Sequence, residues 1–289
     1  MLIGQKKIWQ FLNNSLEQNK LSHAYLFSGQ EKLGKKTLAI EFVKQLFKEE
    51  IDKRQHPDFI FIGPEKKEIQ ISQIKECIWR LNLKPSVSPF KIAIIDEAHC
   101  LNQEAQNCLL KTLEEPKGNT IIFLITEYPE RLFPTIVSRC QTLKFYPVKR
   151  EEIEKYLKNE NVAKNQIEEI LDISGGRPGL AIDLISTPDK LKNQKAVISD
   201  FVKMANSDLA ARFQYAKDLA KEPQSLKKTL DILLGYFRES LISGITTPPK
   251  KYSISKLKNI VKLIQETNFL ISSTNANPRL ALEILMLEV

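Results

Sequence analysis

The chain has 289 residues, too many for one small core and suited to two or three domains that each bury enough apolar area to fold. No uninterrupted apolar run reaches about 18 residues, and Met1-Leu-Ile-Gly-Gln-Lys-Lys-Ile lacks the apolar core and cleavage site of a signal peptide. A soluble, cytoplasmic protein with no membrane segment is therefore expected. The net charge of +8 favours anionic partners, but the lysines are scattered through acidic sequence without a long basic block, so charge alone does not identify a nucleic-acid binder.

In chain order, Ile8, Phe11, Leu12 and Leu16 recur at helical spacing within Gln5–Gln18, and Ala24–Phe27 is a short apolar run that ends at Ser28-Gly29. A helix is predicted over Lys35–Lys48, a strand over Phe59–Ile62, and an amphipathic helix carrying Ile71, Ile74, Ile78 and Leu81 on one face. Then come a strand at Lys91–Ile95, a helix over Gln103–Leu113, a strand at Thr120–Ile125 and a short strand near Thr142–Phe145. Strands separated by helices predict a parallel, three-layer α/β domain over residues 1–147. Three short helical patterns within 150–186 suggest a small helical domain, 148–187, closed by a linker at Thr187-Pro188-Asp189. Residues 188–289 read as long helices, including Leu226–Leu241 and Ile254–Leu270, with Pro248-Pro249 as the clearest break.

Cys77, Cys100, Cys108 and Cys140 are widely spaced and form no Cys-x-x-Cys pair, so they read as reduced, buried thiols. Gly29-Gln-Glu-Lys-Leu-Gly34-Lys35-Lys36-Thr37 has the length and the strand-to-helix setting of a phosphate loop. Such a loop cradles phosphates with backbone N–H groups, neutralises them with a lysine and reaches Mg²⁺ with the next hydroxyl. That hydroxyl position is Lys36 here; Thr37 is displaced by one, and Glu31 and Lys32 stand where glycine would ease phosphate approach. Asp96-Glu97 at the end of the Lys91–Ile95 strand has the form of a Mg²⁺ aspartate followed by a water-orienting glutamate, although carboxylates at such strand ends also serve structural roles. The lone His99 reads as a packed or surface residue. Thr126 sits where a polar group can sense a γ-phosphate, and a solvent-facing strand terminus explains it equally well.

Several segments together carry a resemblance to the clamp-loader subunits of bacterial DNA polymerase III, relatives of the AAA+ ATPases. They are Gly4-Gln5, Ser22-His-Ala-Tyr-Leu-Phe27, Asn107-Cys-Leu-Leu-Lys-Thr-Leu-Glu-Glu-Pro116, Leu132-Phe-Pro-Thr-Ile-Val-Ser-Arg-Cys140 and Asn277-Pro-Arg-Leu-Ala-Leu-Glu283. The resemblance implies a RecA-like AAA+ domain, a helical lid and a C-terminal helical collar in a hetero-pentamer with gamma/tau and delta subunits. That assembly opens a sliding clamp with ATP and closes it on primed DNA. It further implies a stator role, in which Arg139, positioned by Ser138 and Cys140, reaches the ATP and Mg²⁺ held by a neighbouring motor subunit. The alternative for Arg139 is an ion pair within its own domain. On this reading Gly29, Gly34, Lys35, Thr37, Asp96 and Glu97 form a degenerate site, and no cofactor is expected on this chain.

Two departures from the family pattern stand out. The four-cysteine zinc module of many members has no counterpart in the cysteine-free stretch Phe47–His56, so no zinc is expected. The lid arginine that touches the γ-phosphate in motor subunits maps onto Gly179, with Arg177 two residues early. The other functions weighed are a gamma-type motor ATPase, opposed by Lys36, Lys32 and Gly179, and a stand-alone DNA-binding protein, for which scattered lysines predict only weak, salt-sensitive phosphate contacts.

Overall fold

The computed structural model describes residues 2–48, 56–65, 67–246, 252–273 and 276–289, which form two compact units, 1–148 and 149–289. The Pro248-Pro249 break and most of the stretch Phe47–His56 lie outside the described residues. No helix among the described residues is long and apolar enough to cross a membrane.

The first unit is a five-stranded parallel sheet of β1 (Ala24–Ser28), β2 (Phe59–Ile62), β3 (Lys91–Ile95), β4 (Thr120–Thr126) and β5 (Gln141–Lys144), in the order β2-β3-β4-β1-β5. Every residue of β1, β3 and β4 is buried, as expected of parallel strands covered on both faces. Alternation along each strand divides the core in two. Tyr25, Phe27, Ile92, Ile94, Ile121 and Phe123 face α1 (Lys6–Glu17) and α2 (Lys35–Phe47), meeting Leu12, Leu38, Phe42 and Val43. Leu26, Ala93, Ile95, Ile122 and Leu124 face α3 (Ile71–Leu81), α4 (Gln103–Glu114) and α5 (Pro134–Val137), meeting Ile74, Cys77, Leu109 and Ile136. The predicted three-layer domain is thus present. Its last strand starts at Gln141 rather than Thr142, and Phe145 leaves the strand to pack in the core while its N–H still donates to Ser28 O at 2.7 Å.

The segment between α3 and β3 is tied to the sheet edge by Asp58. Its buried carboxylate accepts the N–H groups of Ser86, Val87 and Ser88 at 2.8–3.0 Å and lies 3.2 Å from the buried Lys91 Nζ. Burial alone would raise this carboxyl's pKa, but the three amides and the Lys91 ammonium outweigh it and hold the group well below the usual carboxylate range.

Among its described residues the second unit is helical: α6 (Arg150–Asn159), α7 (Lys164–Ser174), α8 (Pro178–Ser186), α9 (Pro188–Ala205), α10 (Leu209–Leu219), α11 (Pro223–Thr246), α12 (Ile254–Ser273) and α13 (Pro278–Glu288). Proline opens α8, α9, α11 and α13, where its missing N–H costs no helical hydrogen bond. The expected linker Thr187-Pro188-Asp189 is instead a one-residue joint: Thr187 ends α8 and Pro188 begins α9. Helices from the expected lid and collar pack within this one unit, with Arg150 of α6 bridging Asp172 of α7 at 2.7 Å and Glu239 of α11 at 3.2 Å.

Gly175, which ends α7 at φ +55, lies against Gly235 of α11 so closely that an added Cβ would stand 3.1 Å from the Gly235 backbone. Gly175→Ala should therefore destabilise the helical unit by about 1–2 kcal/mol from the left-handed backbone alone, read as a lower denaturant midpoint. An unchanged midpoint would mean that the close approach relaxes freely.

Candidate nucleotide site and arginine element

The parallel sheet brings the C-terminal ends of β1, β3 and β4 to one edge, the place where open α/β sheets bind ligands. Ser28 pairs in register with Thr126, and Ile95 with Leu124, so the loop after Ser28, Asp96 and Thr126 share that edge. Gly29 at the loop's start has φ +143, and an added Cβ would meet Phe145 O at 2.5 Å, so no side chain fits there. Gly34, at φ +87, forms the N-cap of α2. Lys32 stands between them at φ +65, a left-handed conformation that glycine adopts without cost and a lysine does not. The sequence expectation of a missing central glycine corresponds to this residue.

Lys35 is buried and folds back onto its own loop, its ammonium donating to Gly29 O at 2.5 Å and to Gln30 O at 2.6 Å. Burial lowers its pKa to about 8, with Glu127, Glu31 and Asp96 partly restoring the charged form. Lys36 turns to the sheet edge, where its Nζ lies 2.7 Å from Asp96 Oδ2 and 4.4 Å from the centroid of the Phe61 ring. The other carboxylate oxygen of Asp96 accepts the Glu97 N–H at 3.2 Å. Thr37, one residue further along α2, is exposed.

Thr126 corrects one expectation. It is 1% exposed rather than solvent-facing, its Oγ1 accepts the Tyr128 N–H at 3.0 Å, and it stands 3.3 Å from His99 Nδ1. His99 packs edge-on against the Tyr128 ring, consistent with its reading as a packed residue. Glu97, His99 and Cys100 bring donor atoms within 4.8 Å of one another, the one such trio among the described residues. Structural zinc takes four ligands, and the trio is one short.

Arg139 follows α5, whose entry is fixed by the buried Gln106 of α4. Gln106 Oε1 accepts the Phe133 N–H at 2.8 Å, and its Nε2 donates to Leu101 O and Arg131 O, both at 3.2 Å. Pro134 then starts α5, and the Cys140 side chain packs against the core on the α3/α4 face, its thiol pushed up to about 12 by burial and therefore inert. The Arg139 guanidinium donates to Thr135 O at 3.0 Å, lies 3.5 Å from Ser138 Oγ and pairs with Glu114 Oε1 of α4 at 2.8 Å. The own-domain ion pair weighed from sequence is thus present, between side chains 35% and 46% exposed, where such pairs contribute about 0–1 kcal/mol. None of these partners belongs to the phosphate loop or to Asp96.

In the helical unit Arg177 forms the N-cap of α8, with Gly179 in the helix's first turn. Arg177 Nε donates to Ser174 O at 3.1 Å, and its guanidinium lies against Gly235 of α11. Sequence reading missed the partners: Asp96 for Lys36, Glu114 for Arg139 and Gln106 for the α5 entry.

A family model described as DNA polymerase III, delta subunit matches residues 4–149. The delta' subunit of Bacillus subtilis DNA polymerase III is 31% identical over 255 residues, 82% of this chain and 77% of that protein. The gamma subunit of Buchnera aphidicola from Schizaphis graminum is also 31% identical, over 247 residues that make up 80% of this chain but 62% of that protein. A gamma subunit-related protein of Thermotoga maritima has a similar fold, with a TM-score of 0.52 at 20% identity over 96% of this chain and 97% of that one. The chain belongs to the DNA polymerase III delta' family of AAA+ clamp-loader subunits.

Proposed function

We propose that this chain is a stator in its clamp loader: it supports loading of the sliding clamp onto primed DNA and lends Arg139 to the ATP of an adjacent motor subunit. Its partners on this reading are gamma/tau and delta subunits in a cytoplasmic hetero-pentamer, with ATP and Mg²⁺ held by the motors. Residues 148–187 serve as lid and 188–289 as collar. The observation that carries the reading is a contrast within one unit. Lys35 is buried and engaged by the chain's own loop carbonyls and the hydroxyl position carries Lys36 paired with Asp96, whereas Arg139 is partly exposed at the end of α5 and held by a surface pair with Glu114. A guanidinium stays charged and donates several hydrogen bonds in one plane, which suits it to the charge spread over phosphoryl oxygens.

The similarity to gamma favours a second reading, a motor ATPase. Phosphoryl transfer depends on placed charge and metal, so a lysine at the hydroxyl position should remove it. The purified chain should hydrolyse ATP no faster than its Lys35→Ala variant. Sustained turnover that disappears in Lys35→Ala would favour the motor.

A further inference from the structure

The family fold implies Mg²⁺ with nucleotide at this loop, and the residues present do not fit the cation. Mg²⁺ requires hard oxygen ligands in a near-octahedral array, and a phosphate loop contributes the hydroxyl that follows its lysine. Here that position carries an ammonium. It is 2.7 Å from Asp96 Oδ2, the acidic group placed to serve such a metal, and the second oxygen of Asp96 is engaged by the Glu97 N–H. The Phe61 ring, 4.4 Å from the ammonium, holds it on a second side through the attraction of a cation for an aromatic face. The rest of the loop keeps the shape its glycines demand, with Gly29 closed against Phe145 O and Gly34 capping α2.

We propose that Lys36 is a built-in cation that occupies the place of the divalent ion, and that this one side chain shuts Mg²⁺ out of the site. A divalent cation approaching Asp96 meets a like charge already paired with the carboxylate, and binding requires that pair to break. Both side chains are partly accessible, 44% for Lys36 and 17% for Asp96, so solvent screening keeps the pair from being rigidly locked. Exclusion follows from occupancy and like charge rather than from an unbreakable bond. Removing the ammonium frees Asp96, and replacing it with a hydroxyl supplies the missing ligand. The inference rests on the reading that this loop does not hydrolyse ATP, and it assigns the cause to Lys36 rather than to Glu31 or Lys32.

The test uses the full chain as wild type, Lys36→Thr and Lys36→Thr with Asp96→Asn, each titrated with ADP by calorimetry in Mg²⁺ and in EDTA. Wild type should show no difference in ADP titration between Mg²⁺ and EDTA. Lys36→Thr should bind at least about tenfold more tightly with Mg²⁺, the size of one charge-assisted interaction, and Asp96→Asn should remove the gain. Lys36→Met, which keeps side-chain bulk beside Phe61, gives a second reading: it should bind Mn²⁺ detectably by electron paramagnetic resonance where wild type does not. If folded Lys36→Thr gains nothing from Mg²⁺ and Lys36→Met binds no Mn²⁺, the proposal is overturned and the role of Arg139 is untouched. Mg²⁺-dependent tightening in wild type would overturn it as well, and ATP turnover by wild type that disappears in Lys35→Ala would remove the stator reading too.

Discussion

Arg139→Ala should leave the reconstituted clamp loader assembled while lowering its DNA-stimulated ATP turnover in part and its clamp loading by more. Assembly should survive because, among the described residues, the polar partners of the guanidinium are Glu114, Thr135 and Ser138 of its own unit, and a half-exposed pair of this kind contributes about 0–1 kcal/mol. The element that carries it is held by other groups, Gln106 at the α5 entry and Cys140 in the core. Arginine fingers supply on the order of 10³ to 10⁵ in rate at the site they serve. A loader with several motor sites should lose the share of turnover that belongs to this interface, and loading should fall further because it needs the sites to act together. Arg139→Lys should rescue little, since an ammonium cannot reproduce the planar fork of donors. Unchanged turnover and loading in Arg139→Ala would reduce the residue to the Glu114 ion pair.

The largest loss of stability is expected from Asp58→Asn. The substitution removes the charge that three backbone amides and Lys91 converge on, and it leaves the Lys91 ammonium buried without its counter-ion. Breaking a buried pair by removing one partner costs about 3–5 kcal/mol, and at about 2–4 °C per kcal/mol for a unit of this size the melting temperature should fall by roughly 10 °C. The pH dependence has a fixed sign. Because the folded-state pKa of Asp58 is depressed, its contribution is fully present above the unfolded carboxyl value of about 3.9. It is lost as the pH falls further, through the folded value. Acid unfolding should therefore begin below about pH 4 in wild type and lose this component in Asp58→Asn. Equal melting temperatures for the two proteins at neutral pH would show that the amides and Lys91 find other partners.

Much of the first unit is legible in the sequence, for a physical reason. Strands buried on both faces appear as unbroken apolar runs, as in Ile92-Ala-Ile-Ile95 and Ile121-Ile-Phe-Leu-Ile125, and the phosphate loop is legible because its spacing is local. The edge strand β5 is blurred by one residue because Gln141, Thr142, Leu143 and Lys144 are only partly covered and carry no such run. What the sequence hides is pairing at long range. Lys36 and Asp96 lie 60 positions apart, and the β1-β4-β3 pairing brings the end of β1, which leads into α2, to the same sheet edge as Asp96, while the β2-β3 pairing sets Phe61 beside them. Nothing in the helix pattern over Gln103–Leu113 marks Gln106 as buried, yet it is 4% exposed and organises the entry to α5. Thr126 misleads in the same way, since a polar residue at a strand end suggests solvent until the His99 and Tyr128 contacts are seen. In the helical unit the breaks at proline and glycine are legible, but not the Gly175–Gly235 contact that joins α7 to α11.

The central claim is that this subunit lends its arginine and does not use its own nucleotide site. The most direct measurement compares clamp loading by complexes reconstituted with Lys35→Ala and with Arg139→Ala of this chain, the partner subunits unchanged. Lys35→Ala should load clamps at the wild-type rate, because the Lys35 ammonium is taken up by its own loop carbonyls, while Arg139→Ala should be strongly impaired. The opposite pattern, loading lost with Lys35→Ala and retained with Arg139→Ala, would contradict it.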